Sequence, residues 1–335
     1  MNPTLIRRLF SATALVITAL SSLPAQAGLY SGLVVFGDSL SDTGNLQILT
    51  GGARPELSQG PYFGGRYSDG PLWIETLATG FGLPSAATPY FAGGSNYAIA
   101  GARTGTVGNP PGVLAQVAGI WNGVADANAL YVVVGGGNDM RDARSLFQTA
   151  SAEDVAGREA AATAAVGNLT QTIGYLAAHG AKHVLVSNLP DLGNSPEAGM
   201  LGLRYASSDV TTRFNSLIPG LMTTGAGYGL DMSFLDMAGL LHNVIIDALS
   251  NGGATYGITN ISSPCTGFTY SMGNACSASL FSDSLHPSAA AHQLIGRAAL
   301  AAVVPEPESY ALISFGLLTV AALGRRRTST RAVAA

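Results

Sequence analysis

Three short apolar runs, Leu33 to Phe36, Tyr131 to Val134 and Val184 to Val186, each stop abruptly at a polar loop. Those loops open with Gly37-Asp38-Ser39, with Gly135-Gly136-Gly137-Asn138-Asp139 and with Ser187-Asn188-Leu189-Pro190. Brief runs rich in β-branched residues, without polar alternation, fit strands buried on both faces. Between the second and third lies a long helical stretch, opened by Ser151 with Asp154 three residues on, a capping-box-like start, and closed at Gly180. Further helices are expected over Pro71 to Thr79, Ser208 to Leu221, Asp236 to Leu249 and Pro287 to Val303. Strands alternating with helices predict an α/β fold, a parallel sheet covered on both faces. Ligands in such folds bind beyond the carboxyl ends of the strands, where Ser39, Asn138 and Asn188 sit. A loop from Gly51 to Gly70, rich in Gly and Pro and carrying Tyr62, Phe63 and Tyr67, is expected to line a pocket. With no internal repeat and no evident linker, the body reads as one domain.

Charge narrows the partners. From Gly28 to Val304 there are 10 basic and 18 acidic side chains, a net charge of −8. A surface of that sign repels phosphate backbones, so no nucleic-acid partner is expected. Charged residues are only 11% of the chain and hydrophobic ones 47%, but the long apolar runs lie at the two ends.

Those ends read as addresses. Residues 1–27 carry Arg7 and Arg8, an apolar stretch from Leu9 to Leu23 and then Ala25-Gln26-Ala27, the pattern of a signal peptide cut by signal peptidase after Ala27. Residues 304–328 contain Val304-Pro305-Glu306-Pro307, an apolar segment from Tyr310 to Leu323 and Arg325-Arg326-Arg327. This resembles the PEP-CTERM sorting signal of Gram-negative bacteria. The resemblance implies transient membrane insertion of a short transmembrane helix, its arginines held in the cytoplasm, and cleavage by an exosortase-type enzyme. The expected destination of the body, residues 28–303, is the cell surface, the extracellular matrix or the medium, by way of an inner-membrane-anchored precursor. Export also bears on Cys265 and Cys276, which share a Gly/Ser/Asn-rich loop. An even count in an oxidising compartment favours one disulfide, worth up to about 3 kcal/mol. Two cysteines with no neighbouring histidines are too few for a zinc site, and no metal is expected.

A serine exposed in a turn at a strand's end can act as a nucleophile if it has a base, and the base needs an orienting carboxylate. The one tight Asp/His pair is in Asp283-Ser284-Leu285-His286-Pro287, where the i, i+3 spacing lets Asp283 reach Nδ1 of His286 and leaves Nε2 for Ser39.

The blocks around these residues carry a family resemblance. Phe36-Gly37-Asp38-Ser39-Leu40-Ser41-Asp42-Thr43-Gly44-Asn45 resembles the first block of the GDSL, or SGNH, hydrolases. Asn96 to Ala102, with Gly101, resembles the second, Gly135 to Asp139, with Asn138, the third, and Asp283 to Pro287 the last. All four occur in family order across residues 33 to 303. The resemblance implies a three-layer α/β/α sandwich with a mostly parallel, flavodoxin-like sheet. It also implies a catalytic triad of Ser39, Asp283 and His286, an oxyanion hole of the Ser39 and Gly101 backbone N–H groups and the Asn138 amide, and no cofactor. Phe63-Gly64-Gly65-Arg66-Tyr67-Ser68-Asp69-Gly70-Pro71-Leu72-Trp73 resembles a segment of the larger secreted lipase-like members and is expected to build the pocket wall.

Other polar residues take plainer readings. His179, His183, His242 and His292 are expected at the surface or in packing, and Asp38, Asp42 and Asp139 as acceptors of local backbone N–H groups. The expected function is an exported serine esterase or lipase acting on a lipid or short acyl ester. The alternatives are a deacetylase-type esterase trimming acylated exopolysaccharide, an acyltransferase using the same acyl-enzyme, and a non-catalytic surface-matrix binding protein.

Overall fold

The computed structural model describes residues 28–55, 62–121, 123–266 and 274–304. The expected signal peptide and everything from Pro305 onward lie outside the described residues. Within them, no helix is long and apolar enough to cross a membrane.

Four strands, β1 (Leu33–Phe36), β2 (Leu130–Val133), β3 (His183–Ser187) and β4 (Asp231–Leu235), form one parallel sheet in the order β1-β2-β3-β4. Val35 pairs with Val132, and Val132 with Leu185. On the other side of β1, Asn96 makes a parallel bridge to Val35, and the Tyr97 N–H donates to the Val35 carbonyl at 2.7 Å. Chain therefore flanks β1 on both sides, and its carboxyl end opens into a crevice of the kind that holds ligands in open α/β sheets.

Strands β1 and β2 are apolar throughout, and β3 through its middle, because they face two cores. Leu33, Val35, Leu130, Val132 and Leu185 pack on one side, while Phe36, Tyr131, Val133, Val184 and Val186 pack on the other. The first face is covered by α1 (Trp73–Gly80), α5 (Met237–Asn251) and α6 (Ala289–Val303), through residues such as Trp73, Leu77, Val244 and Ile295. The second is covered by α2 (Gly137–Leu146), α3 (Ala152–Ala178) and α4 (Arg204–Gly227), through Met140, Leu169, Ile173 and Phe214. The result is the three-layer α/β/α sandwich.

Helix starts follow their caps. Ser151 accepts the Asp154 N–H, Asp236 the Gly239 N–H and Ser288 the Ala291 N–H, each supplying an acceptor that the first turn lacks. Helix α4 differs from expectation, extending at both ends and running straight through Pro219. Ile218 and Leu221, on either side of the proline, are both buried in the second core, and that packing outweighs the lost hydrogen bond. Two elements have no clear signature in the sequence. Strand β4 is an edge strand with Asp231 and Phe234 exposed, so it lacks an unbroken apolar run. Helix α2 is polar and starts inside a glycine run that reads as loop. Gly136 has φ +112°, and a Cβ there would lie 2.5 Å from the Phe214 ring, so only glycine lets α2 begin this close to the sheet.

Cys265 and Cys276 are joined by a disulfide, with Cα atoms 5.0 Å apart. Cys265 donates its N–H to the carbonyls of Phe281 and Ser282, and Thr266 donates both N–H and Oγ–H to Ser282. The bridged loop thereby braces the segment that carries Asp283 and His286.

Candidate active site

Ser39 lies just past β1, in a turn closed by the Ser41 and Asp42 N–H groups donating to the Asp38 carbonyl. The turn can start this close to the sheet because residue 37 is glycine: a Cβ there would sit 2.8 Å from the Val134 carbonyl. Asp42 ties it down, accepting N–H groups from Gly44, Asn45 and Leu46, and from Ala100 at 2.8 Å. The last of these, well beyond a local contact, sets the Ser39 turn against the loop bearing Gly101.

The structure brings Ser39, His286 and Asp283 into one chain of hydrogen bonds. Ser39 Oγ is 2.9 Å from His286 Nε2, and His286 Nδ1 is 2.7 Å from Asp283 Oδ2. A carboxylate only accepts, so Nδ1 carries the ring proton and Nε2 receives the serine hydroxyl. The other carboxylate oxygen, Oδ1, accepts the Leu285 and His286 N–H groups at 2.7 and 2.6 Å, an Asx turn that sets the i, i+3 geometry. Burial alone would push the Asp283 carboxyl up, but the adjacent imidazole and these N–H donors outweigh it and hold it at about 2. Asp283 is therefore ionised near neutral pH.

Gly101, at φ +86°, and Asn138, in the first turn of α2, line a cavity with Ser39 and His286. Among the described residues neither the Ser39 nor the Gly101 N–H donates to a protein acceptor. Asn138 Nδ2 donates one hydrogen to the Ala102 carbonyl at 2.9 Å, leaving its second free, and its Oδ1 faces Arg141 Nη1 at 3.4 Å. Asp139 accepts both the N–H and the hydroxyl of Thr104, docking the start of α2 on the Gly101 loop. Ser39, Gly101 and Asn138, each with an N–H group that is not used among the described residues, thus line one cavity beside the serine hydroxyl.

Space for a substrate opens on two sides. One cleft, partly open to solvent, is walled by Leu40, Leu189, Leu192, Leu241, Ile245 and Phe281. On the other side the wall is mixed, with Leu46 and Pro110 beside Thr50, Arg54, Tyr67, Asn109 and Arg141.

The remaining candidates fall outside the chemistry. Asn188 fastens β3 to α5, donating to Asp236 at 2.6 Å and accepting the Ala238 N–H. His292 is buried, accepts the Trp73 N–H, and is pushed down to about 3 by burial and by the nearby His286. His183 pairs with Asp231 across β3 and β4, and His179 stacks on Tyr175. Asp38 accepts the Leu40 N–H and is pushed up to about 6 by burial. His242 stands at the rim of the apolar cleft. Of the aromatic loop, the Tyr67 ring lies tilted against His286, Tyr62 reaches Asp283, and Phe63 is exposed beneath Arg66. Arg141 and its partner Glu197 reach the site with no sequence signal, because nothing local marks a salt bridge between residues 56 positions apart.

The chain is 30% identical over 239 residues to the phosphatidylcholine-sterol acyltransferase of Aeromonas hydrophila, covering 66% of this chain and 62% of that one. It is 29% identical over 330 residues to esterase EstA of Pseudomonas aeruginosa, covering 84% of this chain and 48% of that one. The chain thus spans less than two thirds of the length of either relative. Among solved structures, acetylxylan esterase Axe2 of Geobacillus stearothermophilus aligns with a TM-score of 0.45 at 14% identity, over 84% of this chain and 97% of that one. Residues 33–299, running from β1 into α6, match the GDSL-like lipase/acylhydrolase family, and the chain belongs to that family.

Proposed function

We propose that this protein is an exported serine esterase that hydrolyses carboxylic esters through an acyl-enzyme on Ser39. The observation that carries the reading is the unbroken path from Ser39 Oγ through His286 to Asp283, at 2.9 and 2.7 Å, beside unoccupied backbone donors. Ser39 attacks the ester carbonyl as His286 Nε2 takes its proton. The tetrahedral oxyanion sits against the Ser39 and Gly101 N–H groups and the Asn138 amide, each worth about 3 to 4 kcal/mol of barrier when aimed at the transition state. Collapse expels the alcohol, protonated by His286, and water repeats the sequence on the acyl-enzyme. Asp283, ionised throughout, holds the imidazole in its working tautomer. An acceptor alcohol in place of water gives acyl transfer with the same residues.

The apolar cleft favours an acyl chain longer than acetyl. Each further methylene buried there is worth about 0.8 kcal/mol, about fourfold in kcat/KM. Hydrolysis of p-nitrophenyl esters from acetate to palmitate by the full chain is expected to rise from acetate into the medium chain lengths. Ile245→Trp, which fills the cleft, is expected to return the optimum to acetate. A maximum at acetate in the unaltered protein would instead support a deacetylase of acylated polysaccharide, and silence on every ester a binding role.

The two chain ends support export to the surface of a Gram-negative bacterium. N-terminal sequencing and peptide mapping of the exported protein are expected to find Gly28 at the start and to lose the Arg325 to Arg327 peptide. Recovery of that peptide from the exported protein would instead mean a retained membrane anchor.

A further inference from the structure

The segment from Tyr62 to Gly70 crosses the outer side of the Asp283–His286 pair, and its hold on the fold is independent of that pair. Arg66 makes a two-pronged ion pair with Glu75 of α1, both contacts at 2.7 Å. Ser68 donates to the Pro287 carbonyl at 3.0 Å, Asp69 accepts the Ala289 N–H at 2.9 Å, and the Phe63 N–H donates to the Ser68 carbonyl at 2.9 Å. Pinned at α1 and at the start of α6, the strap presents two rings to the site. The Tyr62 hydroxyl donates to Asp283 Oδ2 at 2.8 Å, and the Tyr67 ring lies 5.0 Å from the His286 ring. The two tyrosines also touch each other, with ring centres 5.2 Å apart.

Asp283 Oδ2 is the oxygen that accepts the imidazole proton, and it has a second lone pair. Left to water, that lone pair would let the carboxylate rotate about its Oδ1 anchor and let solvent compete for His286 Nδ1–H. The phenol fills it from a fixed direction. With the Leu285 and His286 N–H groups on Oδ1, the carboxylate then has donors on both oxygens, and its plane sets the imidazole's angle toward Ser39. The Tyr67 ring lies against that imidazole at a tilt of 41°, within the range where an aromatic quadrupole favours the cation formed when the serine proton arrives.

We infer that Tyr62 is a positioning residue that acts through Asp283, so that the strap belongs to the catalytic apparatus as well as to the pocket wall. The inference rests on the triad proposed above. Tyr62→Phe removes the hydroxyl and keeps the ring against Tyr67. Its kcat on a p-nitrophenyl ester is expected to fall about tenfold with KM within twofold, the loss of one hydrogen bond to a charged group. The low-field proton resonance of His286 Nδ1–H is expected to move in the same variant. In an Asp283→Asn background the further effect of Tyr62→Phe is expected to shrink below about twofold, because its acceptor charge is gone. An unchanged kcat with an unmoved resonance, or an equal tenfold loss in the Asp283→Asn background, overturns the assignment while Ser39-dependent turnover in the unaltered protein leaves the triad standing. A Ser39→Ala variant as active as the unaltered protein overturns triad and strap together.

Discussion

Ser39→Ala is expected to lower ester turnover by about 10⁴-fold or more while the protein stays folded. The substitution removes one partly accessible oxygen whose hydrogen-bond partner is His286, so the packing of the sandwich is untouched. Asp283→Asn is expected to cost a comparable factor by a different route. Its amide turns a donor toward Nδ1, which inverts the tautomer and leaves Nε2 protonated and unable to take the serine proton, a change worth about 10⁴ in kcat where it has been worked out. Because the three residues act as one unit, adding His286→Ala to Ser39→Ala is expected to cost little more. Asn138→Ala sits apart, removing one of three oxyanion donors and costing about 10² to 10³. Steady-state kinetics on one p-nitrophenyl ester across the four variants reads the whole series. Retention of more than about 1% of turnover by Ser39→Ala would remove Ser39 from the role of nucleophile.

What could be read from the sequence follows from what is local. Ser39, Asn138 and the Asp283/His286 pair each lie in a short block at the end of a strand or the start of a helix, where a few adjacent residues dictate the turn. Strands β1 to β3 announce themselves because burial on both faces demands an apolar residue at nearly every position. Strand β4, half at the surface, carries Asp231 and Ser233 and gives no such run. Helix α4 outruns its pattern at both ends, where Ala206, Ser207 and Gly225 are buried without forming an apolar run. Of the Phe63 to Trp73 block, expected as pocket wall, Tyr67 lines a cavity, while the contact of Tyr62 with Asp283, 221 positions away, depends on how α1 and α6 pin the strap. Glu197 was invisible for the same reason: its importance lies in two arginines that only the packing of α2 brings to it.

That cluster supplies the largest expected loss of stability. Glu197, in the short helix Pro196–Met200, pairs with Arg141 at 2.6 Å and, through its other oxygen, with Arg144. Arg144 is almost wholly buried; Nη1 donates to Ser207 at 3.0 Å, and among the described residues Nε has no acceptor. Two cations thus share one anion, and among the described residues the deeper of them has no other counter-charge. Glu197→Gln leaves a buried guanidinium uncompensated, which costs about 3–5 kcal/mol, against a total of about 5–15 kcal/mol for a typical domain. The pH dependence has a definite sign. Burial pushes the Glu197 carboxyl up, but the two arginines outweigh it, so the folded value lies below the ordinary one. The unfolded chain then binds the extra proton as the pH drops, so Glu197's contribution is full above the ordinary carboxylate range and is lost as the pH falls through it. Urea unfolding is therefore expected to separate Glu197→Gln from the unaltered protein widely at neutral pH, with the gap closing in acid. Adding Arg144→Met to Glu197→Gln removes the stranded charge and is expected to recover most of the loss, because a buried ion pair replaced by packed apolar groups is often neutral or better. A neutral-pH difference under about 1 kcal/mol, or no recovery in the double variant, would mean that Arg144 finds its compensation elsewhere. Turnover in Glu197→Gln reports the other end of the cluster. The Glu197 N–H still holds the Ser284 carbonyl at 2.8 Å, so the Asp283–His286 turn stays braced, while Arg141 is released beside Asn138. The expected kinetic loss is accordingly in kcat, through the oxyanion amide, and far smaller than that of Ser39→Ala.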